Sequence, residues 1–231
     1  MTMIRRAVLT TCIVAWAGAA NGAMLDPHAF DPAKMLPPPP AAGSQQAGDE
    51  MAELKAIAAR STPQQVAVAA KDAKDEKPDM FNGALGFDIT KYPVTTALLA
   101  GVVEEEEVDS KFAKEYFHRE RPYAVDRTLK TCVPVKPGKS IYSSYPSGHA
   151  TLAFTLAEVL AQLFPQKSQA ILARASQFAE NRLVCQVHFR SDIAAGQQFG
   201  TILALRLMAL PAFRERMEAA RSELRAANLM K

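Results

Sequence analysis

Residues 143–164 read SSYPSGHATLAFTLAEVLAQLF, a long apolar run opened by Pro146, Ser147, Gly148 and His149. The run from Ala150 onward has the periodicity and length of a buried or half-buried helix, yet two of the residues just before it are helix breakers. Ser147 can cap the start, Gly148 lets the backbone approach a ligand closely, and the unpaired N–H groups of the first turn carry partial positive charge. A helix mouth of this kind suits a phosphate, with His149 placed to hand a proton to whatever leaves. The same letters also fit an ordinary serine cap with an incidental histidine.

Working outward from this run, nearly everything after residue 50 reads helical. Spans are expected at about 50–75, 92–120, 150–164, 167–187 and 192–228, the last broken at Pro211. Pro63, Pro78, Pro93 and Pro165 punctuate the others. Strand signals are nearly absent, because no β-branched alternation lasts and no Asn-Gly turn is flanked by alternating segments. The fold class is therefore all-α, a single-domain helical bundle, and no fixed-period repeat suggests a solenoid. The acidic run Glu104–Glu107, followed by Lys111 and Lys114, reads as a solvated, charge-paired face.

The 231 residues, 48% hydrophobic, suffice for one well-filled core. A net charge of +3 is too mild for a nucleic-acid-binding surface. Residues 1–23 combine Arg5 and Arg6, an apolar stretch and small residues at Ala19, Ala20, Gly22 and Ala23, the pattern of an export signal, cleaved after Ala20, Gly22 or Ala23. Its removal would take the 27 basic side chains to 25 against 24 acidic ones, leaving a nearly neutral, periplasmic protein. Residues 24–50, rich in Pro, Ala and Gly, suit an extended arm, and residues 51–231 form the helical domain. No later stretch approaches an uninterrupted apolar span long enough for a membrane. Cys12 would leave with the signal, so Cys132 and Cys185 remain as an even pair in an oxidising compartment: a disulfide, or two partly buried thiols. TILALRLMAL, residues 201–210, is apolar enough for either core or a homo-oligomer interface.

Two further clusters carry polar chemistry. In KEYFHRERP, residues 114–122, Lys114, His118 and Arg121 fall near one face if the segment stays helical, so two cations converge. In ENRLVCQVHFRSDI, residues 180–193, Arg182 ends a helix and His188 precedes Asp192 by four, an interval that can bring a carboxylate onto an imidazole nitrogen. Three cations, a helix mouth and two histidines, one with an orienting carboxylate, match what phosphoryl transfer requires. No metal is needed for such a scheme, and His28 and His118 lack the partners of a zinc site.

Lys114-x6-Arg121-Pro122, then Pro146-Ser147-Gly148-His149, then Arg182-x5-His188-x3-Asp192 resembles the three-part signature of the phosphatidic acid phosphatase type 2 superfamily, which includes bacterial acid phosphatases and vanadium haloperoxidases. Within it, LPPPP at Leu36, TC at Cys132, SYPSGH at Ser144 and VCQVHFRSD around Cys185 look most like a class A non-specific acid phosphatase. The resemblance implies an exported, metal-independent and cofactor-free enzyme that hydrolyses diverse phosphomonoesters, is inhibited by vanadate and phosphate, and transfers phosphate to alcohols. It implies His188 as the nucleophile that forms a phosphohistidine, Asp192 as its support, and His149 as the acid and then base. Lys114, Arg121, Arg182, Ser147 and Gly148, with Asn181, would cradle the phosphoryl group. Two positions depart from the pattern: Asn181 stands where serine is usual, and Gln186 where glycine is usual. The same oxyanion site could instead hold vanadate for halide oxidation, or bind phosphate without turnover.

Overall fold

The computed structural model describes residues 24–26, 31–135 and 137–230. The expected export signal, Cys12 and His28 lie outside the described residues. Among those described there is no strand. The helices are α1 Pro32–Met35, α2 Gln45–Arg60, α3 Pro63–Asp72, α4 Asn82–Leu85, α5 Pro93–Phe117, α6 Pro122–Val125, α7 Gly148–Leu163, α8 Ser168–Val184, α9 Arg190–Ala209 and α10 Pro211–Ala226.

Two boundaries differ from the sequence reading. Helix α2 begins at Gln45, inside the expected arm, because Ser44 Oγ accepts the Ala47 amide and caps it. The expected helix over 50–75 is two helices, since Thr62 and Gln65 form a reciprocal capping box and Pro63 starts a new first turn.

Helix α7 is the hub. Its residues from Ala150 to Ala157 are all buried, as are Val159, Leu160 and Leu163, which is what an apolar run with no polar face demands. Helices α5, α8 and α9 pack around it. Contact with α9 is closest because Gly196 and Gly200 present no side chain: a Cβ at Gly196 would lie 2.7 Å from both the Ser147 carbonyl and the Ala150 methyl. Helix α10 folds back at Pro211 onto α5 and α9, burying Phe213, Met217, Ala220 and Leu224. Its Glu223 accepts hydrogen bonds from the Val94 and Thr95 amides, at 2.9 and 2.8 Å, and so caps the start of α5, which has no cap of its own.

The acidic run is a correction. On α5 the buried stripe Thr95, Leu98, Leu99, Val102 continues through Glu105, Glu106 and Asp109, so only Glu104 and Glu107 face solvent. Glu105 accepts from the Met24 and Leu25 amides at 2.5 and 2.8 Å. Residues 201–210 contribute Leu203, Ala204 and Leu207 to the core and leave Leu205 exposed. Among the described residues no single helix is long and apolar enough to cross a membrane; α9 and α10 together pass that test but meet at a 90° bend.

Candidate active site

The mouth of α7 and the mouth of α9 are tied together, the Ser147 amide donating to the Asp192 carbonyl at 3.0 Å. Beside this junction lies a cavity of about 490 Å³ lined by Lys114, Arg121, Gly148, His149, Arg182 and His188. The three blocks, far apart in the chain, thus meet on one cavity. Ser147 and Asn181 are not on its wall. The Ser147 hydroxyl accepts from the Ala150 amide as a cap, leaving Gly148 to face the cavity. A Cβ on Gly148 would lie 2.5 Å from Lys114 Nζ, so glycine lets that cation stand beside the helix mouth without moving aside.

Lys114 and Arg121 do converge, but not by sharing a helix face. Helix α5 ends at Phe117, where His118 turns left-handed at φ 47°, and Pro122 then keeps Arg121 extended. His118 then stacks on Tyr142 with ring centres 4.3 Å apart. Arg121 returns to the cavity on the next segment, its amide held by the Ile141 carbonyl at 2.7 Å and its guanidinium by Ser143 Oγ and the Val187 carbonyl. The same guanidinium reaches His188 Nε2 at 2.9 Å.

His188 sits just ahead of α9, and Asp192 is the third residue of its first turn. Asp192 Oδ2 accepts from the Phe189 amide at 2.8 Å and from Ser144 Oγ at 2.6 Å, and lies 3.3 Å from His188 Nδ1. Its other oxygen takes Arg119 at 2.6 Å, and Arg119 also pairs with Glu50 at 2.7 Å. Glu50 in turn accepts the Ser191 amide at 2.6 Å. Arg119, Glu50 and Ser144 were missed in the sequence. They belong to three separate segments with no motif spacing between them, and only the tertiary fold makes them a set.

The third block is organised by the end of α8. Gln186 N–H bonds the Leu183 carbonyl and Val187 N–H bonds that of Arg182, with Gln186 at φ 57°, a Schellman cap that usually takes glycine. Gln186 keeps the turn and donates to the Lys130 carbonyl at 2.8 Å. Cys185 is bonded to Cys132, tying the loop before α7 to this corner. Asn181 corrects the expectation set by sequence: its amide donates to Asp72 on α3 at 2.7 Å, a carboxylate that also holds Arg174, and not into the cavity. Arg182, one residue on, keeps Nε and Nη1 buried with no partner among the described residues.

Cations surround the two histidines, while Glu76, Glu106, Glu107 and Glu115 also line the cavity. Burial pushes the imidazoles of His149 and His188 well below 6.5, and Arg182 and Lys114 push both the same way, joined by Arg121 at His188 and Lys139 at His149. Burial also brings Arg182 down to about 10 and depresses Lys114, while the buried Glu106 carboxyl beside it is pushed up. Asp192 is raised to about 6 by burial, against the pull of Arg119 and its hydrogen bonds. The lowered values of His149, His188, Lys114 and Arg182 have the sign that an arriving dianion would relieve, since it would neutralise cations held together out of water, whereas it would push the Glu106 and Asp192 carboxyls further up. Among the described residues no group of three or more side chains is placed to hold a metal ion.

Residues 90–216 match the family model of the PAP2 superfamily. An acid phosphatase of Zymomonas mobilis is 32% identical over 202 residues, covering 84% of this chain and 75% of the relative. A non-specific acid phosphatase of Providencia stuartii is 30% identical, covering 85% of this chain and 82% of its own. Among solved structures, the transmembrane PAP2 type phosphatidylglycerolphosphate phosphatase of Bacillus subtilis superposes with a TM-score of 0.54 at 21% identity, over 75% of this chain and 89% of that one, a likeness of fold.

Proposed function

Because the chain belongs to the PAP2 superfamily, we propose that it is an acid phosphatase acting on soluble phosphomonoesters through a phosphohistidine. The observation that carries this reading is the single cavity on which Lys114, Arg121, Arg182, Gly148, His149 and His188 converge.

The geometry supports a two-step displacement. A phosphate dianion enters among Lys114, Arg121 and Arg182, accepting from the unpartnered Arg182 donors and from the first-turn amides of α7. Arg121 shifts its donor from His188 Nε2 to a phosphate oxygen, which frees the nitrogen lone pair. Asp192 keeps the proton on Nδ1, so Nε2 attacks phosphorus. As the N–P bond forms, the P–O ester bond breaks, and His149 gives its Nε2 proton to the departing alkoxide. Water then attacks the phosphohistidine while His149 takes its proton; the N–P bond breaks and phosphate leaves. An alcohol in place of water would give phosphotransfer. No step calls on a metal, because cations and helix amides take up the developing charge.

Export to the periplasm belongs to the same proposal, supported by the signal-like residues 1–23 and by the disulfide, which persists in an oxidising compartment. The test is hydrolysis of p-nitrophenyl phosphate with EDTA present, expected to proceed and to be blocked by vanadate. His188→Ala should abolish turnover and the acid-labile phosphoenzyme together. A variant still turning over at wild-type rate would overturn the mechanism.

A further inference from the structure

Resting on that reading, we propose that Glu76 is the positioning carboxylate of the general acid, serving His149 as Asp192 serves His188. Glu76 belongs to none of the sequence blocks. It lies in the turn after α3, and the fold delivers it: Asp72, at the end of α3, grips Arg174 of α8 through both carboxylate oxygens at 2.8 and 2.9 Å and Asn181 at 2.7 Å. The turn that follows is thereby fixed over the mouth of α7. Glu76 Oε1 stands 3.1 Å from His149 Nδ1. The imidazole lies stacked on Phe178, ring centres 5.5 Å apart, and its other nitrogen, Nε2, is buried without a partner on the wall of the cavity.

A general acid must carry a proton on Nε2 while Nδ1 is held. The groups that face His149 from each neighbouring element mostly oppose its protonation. Arg182 on α8, Lys114 on α5 and Lys139 on the preceding loop all disfavour a cation there, after burial itself, and the Ala73 carbonyl acts the other way as a hydrogen-bond acceptor. Glu76 is the carboxylate in contact with the ring; it shares the Nδ1 side with the Ala73 carbonyl, and in the proposed role it adds the negative charge that favours imidazolium. Its side chain is 60% exposed, so solvent screens it and the fold does not depend on it. The role is therefore read in catalysis, and in one particular way: it matters where the leaving group needs a proton.

The experiment compares Glu76→Gln and Glu76→Ala with the wild-type enzyme on p-nitrophenyl phosphate, whose phenolate departs unaided, and on a primary-alkyl phosphate, whose alkoxide must be protonated. The readout is kcat/KM, which ends at departure of the leaving group and so excludes the later attack of water. For the alkyl substrate a loss on the order of 10- to 100-fold is expected, a fraction of what a complete general acid contributes. For the aryl substrate the loss should stay under about threefold on the same argument. Glu76→Gln, which keeps a hydrogen bond but not the charge, should also move the alkaline limb for the alkyl substrate to lower pH. Equal losses on both substrates, or none on either, would overturn the role of Glu76. Failure of the wild-type enzyme to hydrolyse either ester would instead sink the phosphatase reading beneath it.

Discussion

At the residue scale the decisive group is Asp192, fully buried and held by four donors from three segments: Phe189 N–H, Ser144, Arg119 and His188. Burial raises its carboxyl to about 6, so below that pH it becomes neutral and His188 loses the charge that fixes its tautomer. Accordingly kcat/KM should fall as pH drops through about 6, and Asp192→Asn should lower it by about a thousandfold at neutral pH. Arg119→Ala leaves the carboxylate of Asp192 without its buried cation, and a loss of about 3 kcal/mol in urea unfolding is expected. Gln186 makes the opposite case. It holds a left-handed conformation that glycine adopts freely, so Gln186→Gly should raise stability by about 0.5 kcal/mol even though it removes the bond to Lys130. The His188–Asp192 pair was legible in the sequence because its spacing is local. Arg119 and Glu76 were not, because their partners lie 73 residues away in one case and on another helix in the other.

At the scale of elements, the order and type of the helices followed from apolar periodicity, and their breaks from Pro63, Pro93 and Pro211 with their caps. What periodicity missed was the inward turn of Glu105 and Glu106. Three-to-four spacing puts them on the buried stripe of α5, although a run of four glutamates by itself has the composition of a solvated face. The α7–α9 contact is tightly constrained, since two glycines of α9 lie against the backbone of α7. Gly200→Ala would drive a methyl into the Thr151 carbonyl and the Thr155 amide, both backbone atoms that cannot swing away. A loss of about 2–3 kcal/mol in thermal or urea unfolding is the expected result, and a neutral outcome would mean the two helices slide apart at little cost.

For the whole molecule, burial raises the carboxyls of Glu106, Asp109 and Asp192 above their ordinary values. Asp109 is the cleanest case, pushed to about 7 by burial and by Glu105, with both oxygens unpartnered among the described residues. Its folded pKa is raised, so the folded state binds more protons in this window and stability increases as pH falls from about 8 to about 6, by about 1 kcal/mol. Below 6.5 the histidines oppose this trend, because His149 and His188 are held neutral in the fold and protonate on unfolding. Urea midpoints across that range should therefore peak in mildly acid solution, and Asp109→Asn should flatten the alkaline side. The sequence alone determined the helical class, the three blocks and the chemistry they share, because helix periodicity and cap residues are local and phosphoryl transfer demands a recognisable set of side chains. Only the tertiary structure decided which groups support that set. Arg121 arriving from outside its helix, Asn181 drawn to Asp72 and Glu76 brought to His149 are all consequences of burial and long-range pairing, where a partner is chosen by proximity in space that no spacing along the chain encodes.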